Sequence, residues 1–489
     1  MRGGYPRSER IKRDNRKTTY FGSTLRARLL VCSRASSRTV NWHRRFSNRG
    51  QGRDARAIFM MNAYDIAYSF GIAIASPVWA IRSKSRHKVL SALGQRLGYV
   101  QPREGSNPAV LIHAVSLGEM NATRELVAQL QSQRPGLHVV ISTTTATGYA
   151  RGRQLYLGKP GISLIRYPLD FTSSIHRVLD AIRPSLVVLM EGEIWPNFLR
   201  QCERREIPVL LVNGRISESA FGRYRRIKFI TRGMLWRISA ICAQDQVYAD
   251  RFKELGAPAD RLTITGTMKF DTANLADSVP GDDQLARELG LVRGQSPIWV
   301  CGSTGPGEEI LLLDAYRTLL KDFPNLRMVI VPRKPERFKE VAALFTEAGF
   351  PLLRRSTRII PDGQPVILGD TMGELRKFYS LADVVFVGRS LVNLGSKNWG
   401  SDMIEPAALA KPVAIGPWTH NFSEAVRSFK AAEAMVEVSD ATALVETVAR
   451  WLSHSAEAKE LGKRAQEVVR ANQGATARHV SLILRGLLH

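Results

Sequence analysis

Short runs of β-branched and other apolar residues alternate with segments of helical periodicity along most of this chain. Six such runs lie within residues 109–266, and six more lie within 297–438. A stretch rich in Gly, Asp, Ser and Pro (273–296) separates the two series. Apolar strands that alternate with helices predict parallel sheets covered on both faces. The sequence therefore predicts two tandem Rossmann-like domains, 83–280 and 281–489, with a ligand cleft at the carboxyl ends of their strands.

The basic charge of the chain is unevenly placed. Of a net charge of +26 over 489 residues, half lies in residues 1–60, which hold 16 Lys and Arg against three Asp and Glu. An Arg-rich head with little apolar periodicity predicts a disordered extension. A nucleic-acid-binding protein is one interpretation of such charge, but the body carries no RRM, KH or helix-turn-helix signature. We therefore expect no nucleic-acid partner.

Cysteine and histidine usage argues against a metal site. The four cysteines form no CxxC pair, and the nine histidines show no metal-ligand spacing. This pattern excludes a zinc-finger framework and a disulfide scaffold, and it favours a reducing cytoplasm. We expect neither a metal nor a cofactor.

Residues 66–81 form a mostly apolar stretch that four basic residues follow at once. A full membrane span takes about 17–25 residues, so this stretch is short. The basic residues would keep the following chain in the cytoplasm, and no small-residue cleavage site follows. We predict an N-terminal membrane anchor over 61–82; the alternative is a buried N-terminal helix. A second segment, 219–238, mixes basic and large apolar residues, as an interfacial helix or an ordinary amphipathic helix would.

Charged side chains follow several predicted strands of the first domain. Glu119 lies in LIHAVSLGEMNAT, between a strand and a helix, where it could cap the helix or act as a base. Glu191 and Glu193 end another strand in MEGEIWPN, as acid–base groups, sugar contacts or a salt-bridge anchor. Arg215 in NGRISE and Lys269 in GTMKFD follow further strands, and an exposed side chain is the simpler interpretation for Lys269.

The second series of strands ends in features of a nucleotide site. GSTGPGEE joins a strand to a helix, where backbone N–H groups can bind a phosphate or the glycines can simply make a turn. Arg333, with Lys334 and Arg337 in VPRKPERF, predicts a phosphate clamp or a solvated basic turn. Glu374 and Glu405 lie at helix starts, where a carboxylate caps the helix or binds ribose hydroxyls. Together these strand ends favour a nucleotide site.

In their order along the chain, these segments resemble the 3-deoxy-D-manno-octulosonic acid (Kdo) transferases, which build the inner core of lipopolysaccharide. The resemblance covers residues 61–480. It rests on ten motifs: HAVSLGEMNATRELV, STTTATGYARG, LMEGEIWPN, VNGRISE, GTMKFD, GSTGPGEE, VPRKPERF, GDTMGEL, ADVVFVGRSLV and IEPAALAKPVAIGPWTHNF.

The resemblance implies a two-domain GT-B glycosyltransferase attached by its N-terminus to the inner membrane, with both domains on the cytoplasmic side. It implies inverting transfer of Kdo from CMP-Kdo to a lipid A precursor (lipid IVA), without a metal. By the same resemblance Glu119 is the catalytic base. The matched CMP-binding positions are Pro332, Arg333, Met372, Gly373, Glu374, Asp402 and Glu405. We assign four further residues to acceptor binding or support of the site: Glu191, Glu193, Arg215 and Lys269.

The sequence departs from the family's pattern at four places. The family's His in GSTHxGEE is Gly305, the Asn in its GNxKFD is Thr267, and the second Gly in its GGSLV is Arg389. Its compact GGHNPLEP is GSKNWGSDMIEP here, so either Asn398 or Asp402 fills the family's Asn position. We favour Asp402, whose spacing to the following Glu-Pro pair is the family's. An Asp beside a CMP phosphate would weaken nucleotide affinity or change the donor, which keeps a UDP-sugar transferase and an inactive binding protein as alternatives.

Overall fold

The computed structural model describes residues 62–81, 92–395 and 400–488. The predicted extension at 1–60, the basic residues after the apolar stretch and Asn398 lie outside these ranges. Within them the chain forms two seven-stranded sheets, in which all paired strands are parallel. The predicted pair of Rossmann-like domains is confirmed.

The first sheet has the spatial order β3-β2-β1-β4-β5-β6-β7. Its strands are β1 (Ala109–His113), β2 (His138–Thr143), β3 (Ile162–Arg166), β4 (Leu186–Met190), β5 (Val209–Gly214), β6 (Ala240–Ala243) and β7 (Leu262–Ile264). Strands β1, β4, β5 and β6 are buried along their whole length, because helices cover both faces.

The second sheet has the order β10-β11-β9-β8-β12-β13-β14. Its strands are β8 (Ile298–Thr304), β9 (Arg327–Pro332), β10 (Leu352–Arg354), β11 (Val366–Leu368), β12 (Val384–Val387), β13 (Val413–Ile415) and β14 (Val436–Glu437). The central strands β9, β8 and β12 are neighbours, so the turns that follow them meet at one edge of the sheet.

Helices connect the strands of each sheet. In and before the first domain they are α1 (Ala63–Ile81), α2 (Leu93–Arg96), α3 (Leu117–Gln133), α4 (Ala146–Tyr156), α5 (Thr172–Ile182), α6 (Pro196–Arg204), α7 (Glu218–Arg226), α8 (Lys228–Leu235) and α9 (Gln246–Glu254). After β7 they are α10 (Asp282–Glu288), α11 (Glu308–Asp322), α12 (Phe338–Glu347), α13 (Leu375–Leu381), α14 (Ile404–Ala407), α15 (Ser423–Ala431), α16 (Ala441–Ser453), α17 (Ser455–Asn472) and α18 (Ala475–Gly486). Short 3₁₀ turns lie at Ala259–Arg261, Phe270–Thr272, Pro335–Arg337 and His420–Phe422.

The last helix of the described chain, α18, packs on the first domain. Ala475, Val480 and Ile483 of α18 pack into the core of the first sheet. His479 on the same helix accepts the N–H of Asn213 at 3.0 Å, which ties α18 to the end of β5. The sequence prediction placed all closing helices in the second domain; for α18 it is wrong, because this helix carries an apolar face that the first sheet buries.

Helix α1 is attached to the first domain through a buried carboxylate. Asp65 accepts hydrogen bonds from the Thr172 backbone N–H at 2.9 Å and the Asn197 amide at 2.8 Å. The same helix leaves Phe70 and Ile74 exposed, at 66% and 78%. Over the residues that the structure describes, no helix combines the length and the apolarity that crossing a membrane requires.

Candidate active site

Glu119 lies where β1 passes into α3. Its carboxylate accepts the backbone N–H groups of Val115 at 2.9 Å and Ser116 at 3.2 Å. The Ser116 hydroxyl in turn accepts the N–H of Glu119, which completes a capping box. The side chain is nearly buried, at 7% exposure. The capping role that the sequence left open is therefore confirmed, and it holds the carboxylate in one orientation.

The surroundings of Glu119 also suit proton transfer. Burial raises its pKa to about 7, and the negative charge of Glu191 adds to this shift. The hydrogen bonds from Val115 and Ser116 oppose it, because they stabilise the charged form. A carboxyl group that titrates near neutral pH can accept a proton from a reacting hydroxyl and release it again.

Glu191 and Arg215 form an ion pair beside Glu119. Their side chains meet at 2.6 Å between Arg215 Nε and Glu191 Oε2, and the Arg215 backbone N–H donates to the Glu191 carbonyl at 2.9 Å. Glu191 has a φ of +62°, a conformation that side chains other than glycine rarely adopt. Burial raises the pKa of Glu193, and Glu191 contributes to that increase. Four of the predicted groups of the first domain are thus brought together.

Glu424 on α15 links the two domains. Lys269 Nζ donates to Glu424 Oε1 and to the Asn421 carbonyl, both at 2.5 Å. Burial alone would lower the pKa of Arg215. The negative charges of Glu191 and, after it, Glu424 outweigh burial, so this pKa lies above its usual value. Lys269 is therefore an interdomain contact rather than an exposed side chain. The sequence analysis missed Glu424, whose signal is an acidic residue in the first turn of a helix after PWTHNF.

On the second domain, Arg333, Asp402 and Glu405 form an electrostatic group. The Arg333 backbone N–H donates to the Thr304 carbonyl at 3.0 Å, which places this residue beside the end of β8. Burial raises the pKa of Glu405 to about 7, with Asp402 adding and Arg376 and Arg333 opposing. Arg333 makes no ion pair with any residue that the structure describes.

Asp402 lies close to both domains. Its side chain is accessible to solvent, yet protein surrounds it closely enough to raise its pKa. Its hydrogen bond from the Ile404 N–H, at 2.9 Å, and the charges of Lys269 and Arg333 oppose that increase. The charges of a lysine of the first domain and an arginine of the second thus both act on this carboxylate.

One predicted donor-site residue, Glu374, has a partner within the protein. Glu374 forms a bidentate ion pair with Arg355, at 2.9 and 3.0 Å, and the pKa of Glu374 is lowered mainly by this contact. The neighbouring Met372 and Gly373 form an exposed turn, while Pro332 is buried at the end of β9.

Arg337, which the sequence grouped into a phosphate clamp with Arg333, contacts Glu309 at 2.5 Å and Glu340 at 2.7 Å. The clamp interpretation is wrong for Arg337, since two carboxylates occupy its guanidinium. Among the described residues no cluster of His, Cys, Asp and Glu could hold a metal ion.

Comparisons with known proteins identify the fold and the family. Residues 91–272 match the family described as 3-deoxy-D-manno-octulosonic-acid transferase (kdotransferase), and residues 310–468 match glycosyl transferases group 1. A glycosyltransferase from Rickettsia africae shares the fold at 16% identity and a TM-score of 0.53, covering 78% of this chain and 99% of that one. The protein is a glycosyltransferase with the two-domain GT-B fold.

Its relatives identify the family within this class of glycosyltransferases. The 3-deoxy-D-manno-octulosonic acid transferase of Haemophilus influenzae is 37% identical over 400 residues, which are 80% of this chain and 90% of the relative. That of Bordetella pertussis is 33% identical over 380 residues, covering 76% of this chain and 85% of the relative. The chain belongs to the 3-deoxy-D-manno-octulosonic acid transferase family.

Proposed function

We propose that this enzyme transfers Kdo from CMP-Kdo to a lipid A precursor in lipopolysaccharide biosynthesis, with inversion at the anomeric carbon. One observation carries the proposal: Glu119, a buried carboxyl group with a pKa of about 7, lies beside the Glu191–Arg215 ion pair, on which Glu424 of the second domain also acts. The Lys269–Glu424 contact holds the two domains together. Family membership supports Kdo as the transferred sugar.

The reaction uses the two faces of the cleft for different steps. The acceptor hydroxyl oxygen bonds to the anomeric carbon while the bond from that carbon to the CMP phosphate oxygen breaks. Glu119 takes the hydroxyl proton, a contribution of about 10²–10⁴-fold in rate. CMP departs with the bonding electrons, and Arg333 stabilises the charge that develops on its phosphate. A base and an anion site on opposite faces of the sugar suit inversion.

The remaining residues support these two groups. Arg215 pairs with Glu191 and so compensates one of the negative charges beside Glu119. We assign ribose contacts to Glu405 and nucleotide contacts to the exposed turn at Met372 and Gly373. Glu374, through its pair with Arg355, fixes the position of that turn.

The membrane-facing part of the proposal rests on one surface of the first domain. A cavity of about 550 Å³ there has an apolar lining that includes Phe229, Ile230 and Trp236, with Arg232 and Arg237 at the same opening. Phe229 is 93% exposed. Apolar side chains with a basic rim suit the surface of an anionic membrane, where each basic residue contributes about 1 kcal/mol. We propose that this surface and α1 lie on the cytoplasmic side of the inner membrane.

A donor comparison tests the proposed function. Purified enzyme is incubated with a tetra-acylated lipid A precursor and either CMP-Kdo or one of a panel of UDP-sugars. The masses of the products are measured by mass spectrometry. We expect the mass of Kdo to be added only with CMP-Kdo. Transfer from a UDP-sugar without transfer from CMP-Kdo would contradict the proposal.

A further inference from the structure

Helix α15 of the second domain brings two charged side chains into contact with the first domain. Glu424, in its first turn, accepts a hydrogen bond from Lys269 Nζ at 2.5 Å. Arg427, three residues later, pairs with Asp245 and lies over the ring of Tyr248, 5.4 Å from the ring centre. Residues three apart lie on the same side of a helix, so one side of α15 faces the first domain over its first two turns.

One oxygen of the Glu424 carboxylate has no hydrogen bond. Its Oε1 accepts from Lys269, but its Oε2 is buried and meets no donor among the residues that the structure describes. The whole residue is only 3% exposed. A buried carboxylate oxygen without a donor costs free energy, so packing alone does not explain why this position carries a charge. A charge in such surroundings acts strongly on its neighbours.

The guanidinium of Arg215 is one of these neighbours. Arg215 Nε donates to Glu191 at 2.6 Å, and the charge of Glu424 acts on the same guanidinium. The charges of Glu424, Arg427 and Arg215 also all act on the buried hydroxyl of Tyr248. Two carboxylates, one from each domain, therefore stabilise one positive charge at this contact.

Glu119 depends on this balance through Glu191. The negative charge of Glu191 acts on Glu119, and Arg215 compensates it. A second carboxylate at Arg215 weakens that compensation. Without Glu424, the positive charge of Arg215 would act more fully on Glu191 and Glu119 and would stabilise the deprotonated form of Glu119. A carboxylate stabilised in this way takes up a proton less readily.

We propose that Glu424 is a positioning residue that competes with Glu191 for the charge of Arg215 and so keeps Glu119 ready to take the acceptor's proton. The inference rests on the proposed function, because it takes Glu119 as the base. Glu424 belongs to the second domain, so it acts on Arg215 only while α15 contacts the first domain. Contact between the domains and proton uptake by Glu119 are thereby coupled.

Other titratable groups also face this contact, and they come from both domains. They are Asp245, Tyr248 and Lys269 of the first domain, Arg427 of α15, Glu193 beside Glu191, and Asp402, on which Lys269 acts. A substitution of Glu424 leaves all of them in the chain. A change in pH dependence that follows the charge at position 424 is therefore assigned to Glu424 itself.

The pH dependence of Kdo transfer tests this inference, with the full-length enzyme, CMP-Kdo and a lipid A precursor in single-turnover assays. Glu424→Gln keeps the shape but loses the charge, so the acidic limb of the pH–rate profile should move to lower pH by about half a unit. Glu424→Asp keeps the charge, so its limb should stay at the wild-type position. Glu437→Gln is the matched control, because exposed Glu437 pairs with Lys430 of the same helix, and its limb should not move.

A double variant shows whether Arg215 carries the effect. In the Arg215→Met background, Glu424→Gln should not move the limb again, because the guanidinium for which the two carboxylates compete is gone. A further shift of the same size in this background would show that Glu424 does not act through Arg215, which would overturn the assignment.

The outcomes separate this inference from the proposed function. If the wild type transfers Kdo and Glu424→Gln keeps the wild-type limb, Glu424 does not influence the base. If Glu424→Gln and Glu424→Asp move the limb equally, the shape of the side chain matters rather than its charge, and the assignment also fails. If the wild type transfers no Kdo from CMP-Kdo, the proposed function itself fails, and this inference fails with it.

Discussion

Glu119 on the first domain and Glu405 on the second each have a pKa of about 7, mainly through burial, but their surroundings differ. A neighbouring carboxylate, Glu191, raises the pKa of Glu119, and only backbone and hydroxyl contacts oppose it. Near Glu405 the positive charges of Arg333 and Arg376 oppose the increase. In the proposed reaction Glu119 takes up a proton and the residues around Glu405 bind an anion, so two carboxyl groups with the same pKa have different roles.

The largest effect should come from removing the proton acceptor. Glu119→Gln should lower the transfer rate by about 10²–10⁴-fold while CMP affinity stays unchanged, because the donor face is untouched. Glutamine can keep one of the two N–H bonds of the capping box, so the loss of folding stability should be about 1 kcal/mol. Transfer assays and calorimetry measure both quantities. Glu125→Gln, on the exposed side of α3, is the control and should transfer normally. Loss of CMP binding in Glu119→Gln would contradict the assignment of proton transfer and CMP binding to different domains.

The next effect concerns the charge balance of the first face. Arg215→Met leaves Glu191 without its partner beside Glu119, which should raise the pKa of Glu119 further. Since a base must be deprotonated to act, the acidic limb of the pH–rate profile should move to higher pH by about one unit. Rates measured from pH 5 to 9 check this, with Arg153→Met, an exposed arginine of the same domain, as control. An unmoved limb would mean that Arg215 does not influence the base.

A stability measurement probes the second face. The pKa of Glu405 is raised from 4.5 to about 7, so between these pH values the folded protein keeps a proton that the unfolded chain has lost. The free energy of unfolding must then fall as pH rises through this window. Relative to Glu405→Gln, the wild type should lose about 1–3 kcal/mol between pH 5 and pH 8. Urea unfolding at both pH values measures the difference. Glu446→Gln, an exposed residue of α16, should follow the wild type, and parallel behaviour of all three proteins would contradict the shift.

The smallest effect should come from exposed apolar side chains outside the active site. Here we expect the first domain, but not the second, to bind membranes. Phe229→Ser should weaken binding to anionic phospholipid vesicles about tenfold, through loss of one large apolar side chain. Ile359→Ser removes a side chain of 71% exposure from the second domain and should leave vesicle binding unchanged. Sedimentation with vesicles measures both. Equal losses would show that the membrane surface is not confined to the first domain.

The fold could be predicted from the sequence because buried parallel strands are apolar along their whole length. The two strands that the prediction missed, β3 and β10, each lie at one edge of a sheet. Only one residue in each is fully buried, Ile165 and Leu353, so the apolar signal is weak there. The position of α18 was also missed, since periodicity shows that a helix has an apolar face but not which sheet buries it.

The candidate site was predictable to the extent that it lies at strand ends. Glu119, Arg333 and Glu405 each follow or begin an element that the sequence pattern located. Glu424 was missed because its partner, Lys269, lies 155 residues away in the other domain. Local sequence cannot show which charged groups meet across a cleft.

The most direct test of the base assignment is the pH dependence of single-turnover transfer at saturating CMP-Kdo and acceptor. In the wild type the rate should rise with pH and level off above an apparent pKa of about 7, the value that burial gives Glu119. In Glu119→Gln the small residual rate should not show this rise. The same rise with the same midpoint in the variant would mean that another group takes the acceptor's proton, and the assignment of Glu119 would be wrong.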